Sequence, residues 1–170
     1  MKSGRSEIRR QLRRWLKGVR RIAILGIGNP LKSDDGIGPA IVRKLAKSEL
    51  PSWVSLYNCE VVPENFVDKV RKFKPTHILM IDSAYLNLRP GEARLVPTSR
   101  IKSLVISTHA LPLTYLAKYL KKFTRAKIGL LAIQPKSVDF GLGLSPELEK
   151  TKESLTKILV EALKGENLNS

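Results

Sequence analysis

From residue 22 onward, short apolar runs alternate with longer segments in which apolar side chains recur at helical spacing. The short runs predict strands over residues 22–27, 54–57, 76–81, 104–107 and 128–133, with a short edge strand at 94–96. The longer segments predict helices over residues 36–50, 64–73, 111–123 and 146–163. Alternation of strand and helix is typical of proteins with a parallel sheet. The pattern therefore predicts a single-domain, three-layer α/β fold with a mostly parallel twisted sheet of about five strands flanked by helices.

The first 21 residues have a different pattern, that of a basic amphipathic helix. Ile8, Leu12, Trp15 and Leu16 share one helical face, and arginines occupy much of the rest. Nine basic side chains and one acid in this segment supply half of the net charge of +16. Three interpretations are open: a helix docked on the domain through Trp15 and Leu16, an arm for an acidic partner or membrane surface, or an RNA contact.

These patterns divide the chain into a basic N-terminal helix or arm at residues 1–21, an α/β domain at 22–164 and a flexible tail at 165–170. A length of 170 residues suits one hydrophobic core. The single cysteine, Cys59, excludes a disulfide framework within one chain and favours a reducing compartment. No apolar run has the length of a membrane span or the form of a signal peptide. We therefore expect a cytoplasmic location.

Several common enzyme signatures are missing. The turn that starts at Gly26 has Leu31 where a dinucleotide-binding turn carries its third glycine, and no Walker lysine pattern occurs. The zinc-protease motif HExxH and the serine-hydrolase motif GxSxG are absent, and Cys59 has no obvious catalytic partner. Carboxylate and imidazole chemistry remain.

Polar residues follow three of the predicted strands. The loop at 28–36 contains Asp34 and Asp35, the strand at 76–81 ends in Asp82, and the strand at 104–107 leads to His109. Ligands of parallel sheets bind beyond the carboxyl ends of the strands, so these groups are expected at one edge. Two carboxylates and one imidazole form a three-ligand set with open positions, typical of a catalytic metal site, and suit zinc, nickel, iron or manganese.

Each candidate also has a purely structural interpretation. Asp34 and Asp35 suit the N-terminus of the following helix, where a carboxylate accepts backbone N–H bonds. Asp82 suits a turn, and His109 suits the entry to a helix. His77 lies inside a predicted strand and is interpreted as a core histidine.

The chain resembles the NiFe-hydrogenase maturation endopeptidases at several separated motifs, in that family's order. The matching segments are residues 24–31, 34–38, 63–66, 81–84, 107–113 and 129–135, and the resemblance spans residues 22–160. The segments 63–66 (Pro-Glu-Asn-Phe) and 133–135 (Ile-Gln-Pro) are more similar to the branch that serves membrane-associated, hydrogen-evolving hydrogenases. Residues 1–20 are an addition to the family pattern.

The resemblance implies an endopeptidase that removes a C-terminal extension from the hydrogenase large-subunit precursor after nickel insertion. It implies Asp35, Asp82 and His109 as both catalytic residues and metal ligands. The metal would be the nickel carried by the substrate, with zinc or another divalent ion as a surrogate. Asp34 would be a supporting acid or cap, and Asn29 and Gly28 would shape the loop.

Two other functions are compatible with the residues. A basic α/β adaptor would bind RNA or a protein partner through the N-terminal arm, with salt-dependent affinity. A metallohydrolase or nucleosidase of small substrates is also compatible with such a scaffold, because fold alone does not determine function. The endopeptidase interpretation, which expects no nucleic-acid partner and no transmembrane segment, accounts for more of the motifs.

Overall fold

The computed structural model describes residues 2–104 and 110–165, which contain six α-helices and five strands. They are α1 (Lys2–Trp15), β1 (Ile22–Ile27), α2 (Ile37–Leu45), β2 (Val54–Glu60), α3 (Val67–Phe73), β3 (His77–Ser83), β4 (Ala93–Pro97), α4 (Ile101–Leu104), α5 (Ala110–Thr124), β5 (Lys127–Ile133) and α6 (Pro146–Gly165). Short 3₁₀ helices at Ser33–Gly36, Pro63–Phe66 and Thr98–Arg100 precede α2, α3 and α4.

The five strands form one sheet in the order β2-β1-β3-β5-β4. The first four strands in that order are parallel, whereas β4 pairs antiparallel with β5 at the edge. The predicted α/β class, the mostly parallel sheet and the edge strand near 94–96 are therefore confirmed. Parallel strands place the loops after β1 and β3 at the same edge of the sheet, called the carboxyl edge below.

Side-chain alternation divides the core into two layers, one on each face of the sheet. Ile22 and Ile24 of β1 pack in the layer that includes buried residues of α1, α2 and α6. Ala23 and Leu25 point to the opposite layer, which includes buried residues of α3 and α5. Burial on both faces explains why the central strands are continuous apolar runs.

The N-terminal helix belongs to the first of these layers. Ile8, Leu12, Trp15 and Leu16 are all buried, and Arg9 forms an ion pair with Glu161 of α6. The Trp15 indole lies against Gly129 of β5, where an added Cβ atom would be 3.1 Å from its Nε1. Of the three interpretations of this segment, the structure supports docking through Trp15 and Leu16. Most of its arginines remain exposed, and no described helix is long and apolar enough to cross a membrane.

The predicted strand at 104–107 is wrong at its first residue, because Leu104 ends α4. The backbone N–H of Ile101 bonds to the Thr98 carbonyl, and the Ser103 hydroxyl donates to the Arg100 carbonyl at 3.1 Å. Ile101 is fully buried, so helical turns satisfy both the backbone and the core at this point. Residues 105–107 lie outside the described residues.

Two predicted helices differ from the structure at their ends. The helix predicted at 36–50 has Gly36 as its N-cap and ends at Leu45, after which the N–H of Ser48 bonds to the Leu45 carbonyl at 2.9 Å. Leu50 still packs against the core, so its apolar spacing indicated burial but not helix. The helix predicted at 64–73 begins as a 3₁₀ helix at Pro63 and becomes α-helical only at Val67.

Candidate active site

The loop after β1 begins with a backbone turn that requires glycine. Gly28 has a φ of +139°, and a Cβ atom there would lie 1.8 Å from the carbonyl oxygen of Asp35. The N–H of Gly28 donates to the carbonyl of Glu60 at the end of β2, with a length of 2.9 Å. Glu60 itself has a φ of +50°, a conformation that costs free energy in a non-glycine residue. The loop is thus held tightly against β2.

Asp35 is placed by the 3₁₀ helix Ser33–Gly36 and is 5% exposed. One carboxylate oxygen, Oδ2, accepts a hydrogen bond from the N–H of Asn29 at 2.9 Å. The other, Oδ1, accepts a hydrogen bond of 2.6 Å from the hydroxyl of Ser83 at the end of β3. Bonds from both β1 and β3 segments therefore fix the orientation of this carboxylate.

Asp82 is the sixth residue of β3 and is fully buried. It pairs with Ala132 of β5, so it is a strand residue and the interpretation as a turn residue is wrong. Its Oδ1 accepts the N–H of Ser83 at 2.8 Å. Strand alternation places Asp82 on the same face as Met80, which is the face covered by α3 and α5.

The structure brings Asp35 and Asp82 together beside Gly28. A Cβ atom on Gly28 would touch the backbone of Asp35 and lie 3.5 Å from Oδ1 of Asp82. Ser83 bridges the two acids, since its hydroxyl bonds to Asp35 and its N–H bonds to Asp82. Two buried carboxylates with this spacing form an oxygen-rich pair suited to a divalent cation or to acid-base chemistry.

His109, the third predicted ligand, lies outside the described residues. In sequence it directly precedes α5, and an open groove at the carboxyl edge is lined by both Gly28 and Pro112, which lies in the first turn of that helix. Within 2–104 and 110–165, no group of three histidine, cysteine, aspartate or glutamate residues has the arrangement of a metal site. The three-ligand set therefore stays a prediction.

Asp34 is fully buried and joins two loops. Its carboxylate accepts the N–H of Lys136 at 2.8 Å, the N–H of Ser137 at 3.3 Å, and both the N–H and hydroxyl of Ser145 at 2.7 and 2.9 Å. Neither the 3₁₀ helix nor α2 has a side-chain cap, so the capping interpretations of Asp34 and Asp35 are wrong. Asp34 instead attaches the segment after β5 to the loop after β1.

Cys59 and His77 are structural residues. Burial, with a smaller contribution from Glu64, raises the pKa of the Cys59 thiol to about 12, so the thiol is neutral at pH 7 and a poor nucleophile. His77 lies at the opposite end of β3 and is buried, with its ring nitrogens 3.1 Å from the Thr76 hydroxyl and 3.2 Å from the Trp15 carbonyl. It is a core histidine, as its position in a strand predicts.

Sequence reasoning missed two supports of the site. Ser83 was part of the motif at 81–84 but had no role, although a hydroxyl next to a strand-end acid is a signal for such a bridge. Gln134 is buried after β5, and its Oε1 accepts the N–H of Leu86 at 2.7 Å, which fixes the segment after β3. Local sequence gives little sign of this second contact, since 48 residues separate the partners.

Comparison with known proteins identifies a consistent set of relatives. The profile of HycI hydrogenase maturation proteases matches residues 39–162. A protein of Methanocaldococcus jannaschii, provisionally named a hydrogenase maturation protease, is 39% identical over 155 residues. The match covers 87% of this chain and 91% of that protein. The hydrogenase 3 maturation protease of Escherichia coli K12 is 31% identical over 133 residues, covering 78% and 84%. The crystal structure of the [NiFe] hydrogenase maturation protease HycI from Thermococcus kodakarensis KOD1 superimposes with a TM-score of 0.83 at 31% identity, over 91% of this chain and 99% of that one.

Proposed function

This chain belongs to the hydrogenase maturation protease family, and we propose that it removes the C-terminal extension of a NiFe-hydrogenase large-subunit precursor after nickel insertion. The observation that carries the proposal is the pair of buried acids, Asp35 and Asp82, held together by Ser83 at the carboxyl edge. Two fixed carboxylates beside an open groove are an arrangement that can select a cation and hold a peptide next to it.

In this proposal Asp35, Asp82 and His109 contact the nickel ion of the loaded precursor. The ion belongs to the substrate, and zinc or another divalent ion is a surrogate. Carboxylate oxygens and an imidazole nitrogen are suitable donors for such an ion. A precursor without nickel offers these residues nothing to bind, so recognition of the ion makes cleavage wait for nickel insertion.

Asp35 and Asp82 also have a proposed part in peptide hydrolysis. Each is within a network of hydrogen bonds that fixes its orientation, and a fixed carboxylate can position water or accept its proton. Asn29 and Gly28 maintain the conformation of the loop, Asn29 through its N–H bond to Asp35. Asp34 stabilises the loop by accepting the N–H of Ser145. The chemistry is thus assigned to Asp35 and Asp82 together with His109, and the stability of the loop to Asp34.

Intact mass measurement of the precursor tests the function. Wild-type protein should shorten the nickel-loaded precursor and leave the nickel-free form intact. Asp35→Asn, Asp82→Asn and His109→Gln should each slow the cleavage at least about 100-fold, the usual contribution of a positioned acid or base. Asp139→Asn changes an exposed aspartate in the same way and should cleave normally.

Cleavage of both precursor forms at equal rates would contradict nickel recognition. Cleavage at wild-type rate by the Asp35, Asp82 and His109 variants would contradict the assigned site. Circular dichroism of each variant shows whether the fold is retained.

The exposed side of α1 is a second part of the proposal, as a contact for an acidic surface of the precursor complex. Arg5, Arg13 and Arg14 are exposed, whereas the apolar side of the helix is occupied by the core. Exposed charges chiefly raise association rates and are screened by salt. Arg13→Glu with Arg14→Glu should therefore slow precursor binding several-fold at low salt and have little effect at 0.5 M salt. If this double variant instead bound anionic lipid vesicles several-fold more weakly than wild type and bound the precursor normally, the exposed side of α1 would be assigned to a membrane surface.

A further inference from the structure

An open groove of about 1040 Å³ begins at Gly28 and runs between the segment after β2 and the helix α5. On one side lie Glu60 and the 3₁₀ helix Pro63–Phe66, and on the other lie Pro112, Tyr115 and Tyr119 of α5. This volume exceeds that of most small-molecule pockets and suits several residues of an extended peptide. The groove is continuous with the candidate active site because Gly28 belongs to both.

The lining of the groove has an unusual charge for this protein. Glu60, Glu64 and Asp68 contribute to it, and none of the described lining residues is lysine or arginine. The whole chain has 31 lysines and arginines against 15 acids, so composition alone would give a basic groove. Asp68 is partly neutralised by Arg71 at 3.3 Å, whereas Glu60 and Glu64 have no ion pair in the described part of the chain. Glu60, whose carbonyl bonds to the N–H of Gly28, places part of this unbalanced negative charge at the Gly28 end.

The opposite side of the groove is aromatic. Tyr115 and Tyr119 are one helical turn apart on α5 and are 61% and 51% exposed. Tyrosines in this position provide apolar contact area and a hydroxyl at low conformational cost, and aromatic faces also attract cationic side chains. The groove therefore combines apolar contacts on one side with negative charge on the other.

We propose that this groove binds an extended, lysine- or arginine-bearing segment of the precursor next to the peptide bond that is cut. The inference depends on the proposed function for the identity of the ligand. Glu64 and Glu60 pair with the basic side chains, and Tyr115 and Tyr119 cover the apolar parts of the segment. The motif at 63–66, which the candidate active site leaves without a role, thereby determines which substrate is accepted.

Glu60 also connects the groove to the acids of the site. Its strained backbone, with a φ of +50°, places its carbonyl to accept the N–H of Gly28, while its side chain is exposed to the groove. The same residue thus fixes the loop that carries Asp35 and contributes charge to the binding surface. A segment bound along the groove passes Gly28, and Asp35 and Asp82 lie next to Gly28.

Two dye-labelled decapeptides test the charge preference without any cleavage. In one, lysine alternates with valine, and in the other glutamate replaces each lysine. Fluorescence anisotropy with the full chain should show at least about tenfold tighter binding of the lysine peptide at 50 mM salt. Glu64→Lys should reduce this affinity about tenfold, and Tyr119→Ala about threefold. Glu49→Lys is the matched control, since Glu49 is exposed in the turn after α2, at the opposite edge of the sheet, and it should bind as wild type.

The nickel-loaded precursor provides the second measurement. Glu64→Lys should raise KM about tenfold and change kcat less than twofold, and Glu49→Lys should change neither. Equal binding of the two peptides, or equal behaviour of the Glu64 and Glu49 variants, would overturn the groove assignment while precursor cleavage by wild type continued. Failure of wild type to cleave the precursor, with the peptide preference intact, would instead overturn the proposed function.

Discussion

The two edges of the sheet both contain charged groups, but they accommodate the charge in different ways. At the carboxyl edge, Asp34 and Asp82 are fully buried and Asp35 is 5% exposed, and hydrogen bonds orient all three. At the opposite edge, called the amino edge because the parallel strands begin there, the C-terminal ends of α1, α3 and α5 carry exposed basic residues. These residues complement the negative ends of the helix dipoles. Exposed charges tolerate substitution, whereas buried charges depend on individual partners.

The amino edge also has a buried contact, the one that docks α1. The Trp15 ring meets His77 edge to face at 5.1 Å, and the Lys127 ammonium donates to the Trp15 carbonyl at 2.9 Å. This contact is far from Asp35 and Asp82, since it involves the first residues of β3 and β5. The comparison therefore predicts that stability depends heavily on the amino edge and chemistry on the carboxyl edge.

Trp15→Ala removes the contact that docks α1 at the amino edge, and it should have the largest effect on stability. Loss of a buried tryptophan costs about 3 to 5 kcal/mol, because the cavity closes only partly. Denaturant unfolding should show this decrease in the free energy of unfolding, whereas kcat for the loaded precursor should stay within twofold of wild type at 25 °C.

Arg13→Ala, on the exposed side of the same helix, should change stability by less than about 0.5 kcal/mol. A large decrease of kcat in folded Trp15→Ala protein would show that the two edges are coupled.

Gly28→Ala should disturb the loop at the carboxyl edge. Compared with Trp15→Ala, it should lose less stability and more activity. The methyl group would collide with the Asp35 backbone, so the loop must move and carry the Asp35 carboxylate away from Ser83. A misplacement of about 1 Å can reduce a catalytic rate about 100-fold, and kcat for the loaded precursor should fall by that order.

Gly143→Ala is a suitable control for Gly28→Ala. Gly143 also has a positive φ, +84°, but a Cβ atom there would meet nothing within 4 Å. In this variant only the positive φ of the new alanine is unfavourable, so the protein should keep its activity. Normal activity of Gly28→Ala would mean that the position of Asp35 is not important for cleavage.

The difference between the edges also explains what the sequence could predict. Continuous apolar runs identified β1, β3 and β5, because strands buried on both faces leave a strong local signal. The rule for parallel sheets then placed Asp35 and Asp82 at the same edge, and the structure brings them together. The spacing of Ile8, Leu12, Trp15 and Leu16 identified the buried face of α1 for the same reason.

Contacts between distant segments were not predictable in this way. Asp34 was interpreted as a cap because its sequence neighbours fit one, yet its partners are more than 100 residues away at 136, 137 and 145. The apolar residues at 104–106 suggested a strand, but the turn that starts at Thr98 carries the chain into α4. In both cases tertiary hydrogen bonds or burial decided between local alternatives.

His77 gives the smallest expected effect, a pH dependence of stability that belongs to the amino edge alone. Burial, followed by the charge of Lys127, lowers the pKa of His77 below its ordinary value of 6.5, and the carbonyls of Trp15 and Lys17 oppose this shift only in part. The unfolded chain therefore binds more protons than the folded one as the pH falls below about 6.5. Stability should be fully present above that pH and decrease toward the lower pKa of the folded state.

Urea unfolding of wild type and His77→Gln between pH 7.5 and 5 measures this contribution. The wild type should lose stability over this range more steeply than His77→Gln. His109→Gln is the control, because His77 and His109 are the only histidines in the chain and each variant leaves the other to titrate. Lys127→Gln should reduce the acid sensitivity of His77, since it removes one cause of the lowered pKa. Equal slopes for wild type and His77→Gln would mean that protonation of the buried imidazole does not oppose docking of α1, and the acid sensitivity would then originate elsewhere in the chain.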